Sequence, residues 1–269
     1  MSPVHRNEGE ISAVGRVAAL LNAFGSGEGT VRVAELTAAT GLPKTTVHRL
    51  VREMIRCGLL EQDGARVRLG LRLFELGQLV PRPRSLRDAA RPYMSDLHEA
   101  TRHTVNLAVM RDDHVVYVEI VYGRDGLRLP IRPGGSRPAH ATGVGKAIMA
   151  FSPPATIDAL LTAGLPRVSA RTITAPGLMR KELERIRAAG VSYDREESAP
   201  GVVCAASPVF GPDGEVLAAL SVAGRTGRIN LTRVDQAIRT AALAISRSLG
   251  ATPRRTQVSP GPRTASPSP

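Results

Sequence analysis

Between residues 33 and 56 the chain reads VAELTAATGLPKTTVHRLVREMIR, and the break at Gly41-Leu42-Pro43 constrains everything around it. Glycine tolerates a positive φ, and proline cannot continue a helix interior, so one helix must stop and another begin. Before the break, Val33, Leu36 and Thr37 give a short amphipathic helix. After it, Val47, Leu50, Val51 and Met54 recur at i, i+3, i+4 and i+7, the single apolar stripe of a helix lying on a core. The opposite face carries Lys44, Thr45, Thr46, His48, Arg49 and Arg52. Two short helices about a glycine turn, the second with a basic polar face, form the helix-turn-helix pattern, whose second helix fits the DNA major groove.

Upstream, residues 12–24 predict a further helix, with Ser12 as its cap and Val14, Val17, Leu21 and Phe24 inward. Downstream, LLEQDGARVRLG (59–70) alternates around Asp63-Gly64 as a hairpin, with Arg66 and Arg68 on one face. A basic hairpin behind a recognition helix is a wing positioned for phosphates. Residues 44–84 hold nine Lys or Arg against four acids. The whole chain carries a formal net charge of +12, which favours a polyanion as partner. Charge alone does not settle this, because Arg greatly outnumbers Lys, as a composition bias would also produce.

Pro81-Arg82-Pro83 reads as a stiff extended linker, placing a domain boundary at 84, and Ser85 reads as the cap of a helix to 101. Beyond it, strands are expected at 104–110, 114–121, 127–131, 191–195, 202–210 and 216–222. Helices are expected at 142–151, 156–163, 178–189 and 232–249. Strands in hairpin pairs with segregated helices predict an antiparallel α+β domain over 85–250. Residues 251–269, rich in Pro, Ser, Thr and Arg, read as a disordered tail.

Ala141-Thr142-Gly143-Val144-Gly145 opens a helix with Thr142 as its cap. Gly143 and Gly145 leave backbone N–H groups approachable, and a helix N-terminus favours an anion, which predicts a carboxylate-bearing ligand. A glycine turn that merely packs closely is the other reading. A P-loop is excluded, since it needs Gly at 140 and Ser or Thr at 147, where the chain has His140 and Ala147.

Taken together, VAELTAATGLPKTTVHRLVREMIRCGLLE, RPAHATGVGKAIMAF (137–151), GVSYDREESAPGVVCAASPVF (190–210) and GEVLAALSVAG (214–224) resemble the IclR (isocitrate-lyase regulator) family over about residues 12–250. The resemblance implies a winged helix-turn-helix joined by a linker helix to a GAF-like effector domain, working on double-stranded operator DNA as a dimer or dimer of dimers. It places the effector pocket at Gly143, Val144, Asp194, Val202, Cys204 and Ser221, with Leu129 lining the same cavity. Asp194 reads equally as a turn acid. Relatives with keto-acid effectors can carry a serine where this chain has Ala223, so effector identity does not transfer.

No cofactor or metal is expected. His98, His103 and His140 lack close ligand spacing, and Cys204 in an apolar strand reads as a small packed hydrophobe. Two cysteines in different domains do not make a disulfide framework. No apolar run is long enough for a membrane span, and the N-terminus, with Arg6, Glu8 and Glu10, lacks a signal-peptide core, so a cytoplasmic location is expected. Three function classes compete: a ligand-controlled regulator, an architectural DNA binder, and an enzyme with an accessory winged helix. Neither paired carboxylates nor a nucleophile–base set favours the last.

Overall fold

A computed structural model describes residues 12–24, 29–123 and 131–251, and the chain divides into two units, Met1–Arg84 and Ser85–Pro269. The predicted strand at 127–131 falls almost wholly outside the described residues, as do Leu129 and all but the first residue of the tail.

The first unit runs α1 (Ala13–Asn22), β1 (Thr30–Val31), α2 (Val33–Thr40), α3 (Lys44–Arg56), β2 (Leu60–Asp63), β3 (Arg66–Leu69) and α4 (Leu71–Gln78). Ser12 caps α1 by accepting from the Gly15 N–H. Gly41 ends α2 at φ 67°, the left-handed conformation that glycine adopts without penalty. The core joins Leu20 and Phe24 to Leu36, the Val47–Leu50–Val51–Met54 stripe, Leu60 and Val67. Val14, expected inside, is 78% exposed; Leu20 supplies that contact instead, because the core-facing stripe is centred nearer the helix's C-terminal half. The wing gains an unpredicted third strand: β1 pairs with β3, Val31 opposite Val67.

The chain passes from the first unit into the second along α5 (Pro81–Thr101). This corrects two expectations: the prolines open a helix rather than an extended linker, and Ser85 lies within that helix, not at its cap. N–H groups of a first turn have no intrahelical acceptor, so proline forfeits nothing there, and its φ suits the helix. Pro92 sits further in, and the helix still carries Leu86, Ala90, Met94 and Leu97 into a core. There follow β4 (Thr104–Arg111), β5 (His114–Val121), β6 (Ser136–Pro138), a 3₁₀ turn (Ala139–Ala141), α6 (Gly143–Phe151), α7 (Pro154–Ala163), α8 (Pro176–Ala189), β7 (Ser192–Arg195), β8 (Val202–Phe210), β9 (Val216–Arg225) and α9 (Leu231–Ser248).

The six strands form one antiparallel sheet in the order β6-β5-β4-β9-β8-β7. Alternation along β4 separates two cores. Ala108 faces the layer of α6, α7 and α8 with Val144, Ile148, Met179 and Ile186. Val105 and Leu107 face α5 and α9 with Met94, Ile238 and Ile245. Asn106 shares the Ala108 side, and it helps to line the cavity described next.

Candidate functional site

Each unit carries one candidate site. In the first, the stripe that seats α3 on its core turns the remaining face outward. Lys44, Thr45, His48, Arg49 and Arg52 are exposed, and Thr46 is half-buried. Among the described residues, no ion pair engages Lys44, Arg49 or Arg52; the helix's one pair, Arg56 with Glu53, lies at its last turn. The wing arginines differ. Arg66 donates to the Thr30 carbonyl at 3.2 Å, and Arg68 pairs with Glu61 at 2.9 Å. An exposed pair of that kind contributes about 0–1 kcal/mol, so a phosphate competes readily for the arginine.

In the second unit, the N-terminus of α6 lies over the sheet and borders a partly open cavity of about 40 Å³. Gly143, Val144, Asp194, Val202, Cys204 and Ser221 all line it, drawn together from α6, β7, β8 and β9. The sequence reading missed several further lining residues, chief among them Asn106, Tyr117, Arg137 and Ser198. They come from β4, β5, β6 and a loop, and only the sheet order brings them close; no local motif signals them. Ile131, in no strand, also lines it.

Thr142 caps α6 by accepting from the Gly145 N–H at 3.0 Å. At 143 a Cβ would sit 2.6 Å from the Cys204 sulfur, so only glycine lets the helix end approach β8 so closely. Val144 holds a first-turn N–H without a partner among the described residues. Burial pushes the Cys204 thiol well above its usual range, so the sulfur is a packing atom rather than a nucleophile.

Asp194 lines the cavity and also closes a turn. Its Oδ1 accepts from the Glu197 N–H at 2.7 Å and the Ser198 N–H at 3.3 Å. Burial raises its pKa to about 6, against the opposing pull of those hydrogen bonds. Beside it lies a feature with no sequence signature. Lys146, at 0% exposure, places its Nζ 2.6 Å from both Glu197 carboxylate oxygens and 2.8 Å from the Tyr193 carbonyl. This buried pair ties the 194–198 turn to α6. On the sheet floor, Asn106 Nδ2 donates to Ser221 Oγ at 3.2 Å.

A second hollow, of about 100 Å³, is walled largely by Pro138, Ala139, Met149, Leu160, Leu165 and Pro166. His140 there hydrogen-bonds the Pro166 carbonyl, and His98 hydrogen-bonds the His103 carbonyl, so neither projects a free ring into a common site. Among the described residues, no three His, Cys, Asp or Glu gather as metal ligands, and no helix is long and apolar enough to cross a membrane.

A winged helix with an exposed cationic face, followed by a sheet domain with a small, partly open cavity, defines a DNA-binding transcriptional regulator. Residues 13–64 match the IclR helix-turn-helix domain, and residues 80–247 match the bacterial transcriptional regulator IclR C-terminal domain. The chain belongs to the IclR family. It is 29% identical to the HTH-type transcriptional regulator XynR of Escherichia coli strain K12, over 89% of this chain and 98% of that one. It is 31% identical to the transcriptional repressor IclR of the same organism, over 85% of each. Among solved structures, an IclR homolog from Microbacterium hydrocarbonoxydans complexed with 4-hydroxybenzoate superposes with a TM-score of 0.81 at 28% identity, covering 88% of this chain and 99% of that one.

Proposed function

We propose that this regulator binds a double-stranded operator through Lys44, Thr45, Thr46, His48, Arg49 and Arg52, with Arg66 and Arg68 on flanking phosphates. Its affinity is set by a small carboxylate held in the cavity at Gly143, Val144, Asp194, Val202, Cys204 and Ser221. The observation that carries the DNA reading is the outward α3 face, where three cations stand without a partner among the described residues. The effector reading is supported by the Val144 N–H, unpartnered among the described residues, at a helix N-terminus over a partly open, mostly apolar cavity. A relative in this family has been solved with 4-hydroxybenzoate, itself a carboxylate.

The working unit in this reading is a cytoplasmic homodimer, or a dimer of dimers, with no enzymatic activity. Helix α4 favours self-association, since it buries none of its residues and leaves Phe74 63% exposed. Two recognition helices then meet half-sites about 34–36 Å apart. The effector binds two dimer arrangements with different affinity and so shifts their populations. The test is a gel-shift titration with the protein's own upstream DNA, alongside a thermal-shift screen of small carboxylates. Arg49→Ala should weaken operator binding and leave the ligand response intact. Asp194→Ala should blunt the response while DNA binding persists. Unchanged operator affinity in the first, or a normal response in the second, removes that residue from its role.

A further inference from the structure

We propose that the molecule taken by this cavity carries a hydroxyl in addition to its carboxylate, and that Asn106 Oδ1 is the atom that receives the hydroxyl proton. The inference rests on the effector reading above and adds the chemistry of the ligand's second polar group.

Asn106 stands opposite Ser221 in the β4–β9 register, near the middle of the sheet. It is 2% exposed and lines the cavity. Its amide nitrogen is turned to Ser221 Oγ, which orients the group, and its Oδ1 has no partner among the described residues. Buried polar atoms in native proteins are nearly always paired, so an orphan atom on a residue that lines a cavity marks a bond completed by whatever enters. The neighbouring floor position that might have supplied a donor is Ala223, which offers only a methyl group.

The missing partner must be a donor. A carboxylate oxygen cannot fill the role, because it would set one acceptor against another. The anion therefore belongs at the α6 end, with the Val144 N–H, and a different part of the ligand meets Asn106. A hydroxyl fits better than an ammonium or a simple N–H. Ser221 Oγ already accepts from Asn106, so its own proton has to be donated elsewhere. A ligand hydroxyl accepts that proton while donating its own to Asn106 Oδ1, and both polar groups of the floor are then satisfied. A ketone oxygen would answer only Ser221 and leave Oδ1 unpaired.

The experiment is calorimetric titration of the full chain with sets of small acids that differ only at this group. Glycolate, lactate and 4-hydroxybenzoate are each compared with the deoxy acid (acetate, propionate, benzoate) and with the O-methyl ether; pyruvate joins the lactate set. In the tightest-binding set, the hydroxy acid should exceed the others by about ten- to a hundredfold, the worth of one buried hydrogen bond whose loss leaves its partner unpaired. Asn106→Leu should abolish that preference while carboxylate binding survives; Asn106→Ala serves if the leucine variant does not fold, and the wild-type series stands without either. Binding without preference for the hydroxyl, a preference for pyruvate, or a preference that persists in the Asn106 variants overturns this inference alone. If no acid in any set binds the folded protein, the carboxylate reading falls and this one with it.

Discussion

Replacing Lys146 by methionine tests whether the cavity's turn is held by charge or by shape. The Lys146–Glu197 contact of 2.6 Å corresponds to a Coulomb attraction of about 6 kcal/mol at an effective dielectric of about 20. Most of that offsets the desolvation of two buried ions, so the intact pair adds little net stability. Removing only the lysine leaves a carboxylate that is nearly buried and has lost its counterion, and breaking such a pair costs about 3–5 kcal/mol. That is a large share of the roughly 5–15 kcal/mol that holds a domain together. In Lys146→Met/Glu197→Leu the stranded charge is gone, and the destabilisation should shrink to about 0–2 kcal/mol, the remainder reflecting the Tyr193 carbonyl left without its donor. Urea unfolding followed by tyrosine fluorescence reads the second unit selectively. The chain has no Trp, and all four tyrosines, Tyr93, Tyr117, Tyr122 and Tyr193, lie beyond residue 84. If the double variant is as unstable as the two single effects added, the charge-pair reasoning is wrong.

Lys44→Ala or Arg52→Ala should weaken operator binding at every sequence tested and lower the slope of log K against log salt by about 0.9 for each phosphate no longer neutralised; an unaltered slope in a salt titration would exclude that residue from the phosphate backbone. Asp194 has a folded pKa raised to about 6 from 3.8, so its ionisation opposes folding, and its contribution is intact below pH 4 and lost as pH rises from 4 to 6. Over that window the second unit should lose at most about 3 kcal/mol through this group, and Asp194→Asn should flatten the profile in thermal melts; identical wild-type and variant profiles would contradict the assignment. Phe74→Glu places a charge on the exposed α4 face and should shift sedimentation toward monomer, with operator affinity falling in parallel; an unchanged sedimentation profile would remove α4 from the interface.

The parts legible in the sequence are those whose signal is local. The α3 stripe is a period of 3.6 carried by the helix's own residues, and the wing is a glycine turn between alternating strands; both stand where the spacing puts them. Val14 and the Pro81-Arg82-Pro83 segment failed for a shared reason. Apolarity and proline were read without knowing which turn of a helix, or which side of it, they would occupy. The helix start at Thr142–Gly145 was legible from its own residues, whereas the rest of the cavity was legible only through family resemblance, and only in part. Asn106 and Ser221 lie 115 residues apart and meet through sheet order, and Lys146 and Glu197 lie 51 apart and meet where α6 packs on the turn after β7. A lysine inside a helix also reads as solvated surface by default, so its complete burial has no precursor in the sequence.

The position of β9 carries a consequence for how the protein is made. It is the last strand among the described residues, yet it lies between β4 and β8 at the centre of the sheet. Until residue 225 has left the ribosome, neither half of the sheet can join the other, whereas the first unit has its whole core in hand by residue 67. At about 5–20 residues per second, the growing chain presents a complete DNA-reading head roughly ten to thirty seconds before it owns a sensor. A message truncated after β3 but before β9 would therefore yield a DNA-binding unit that no effector can address.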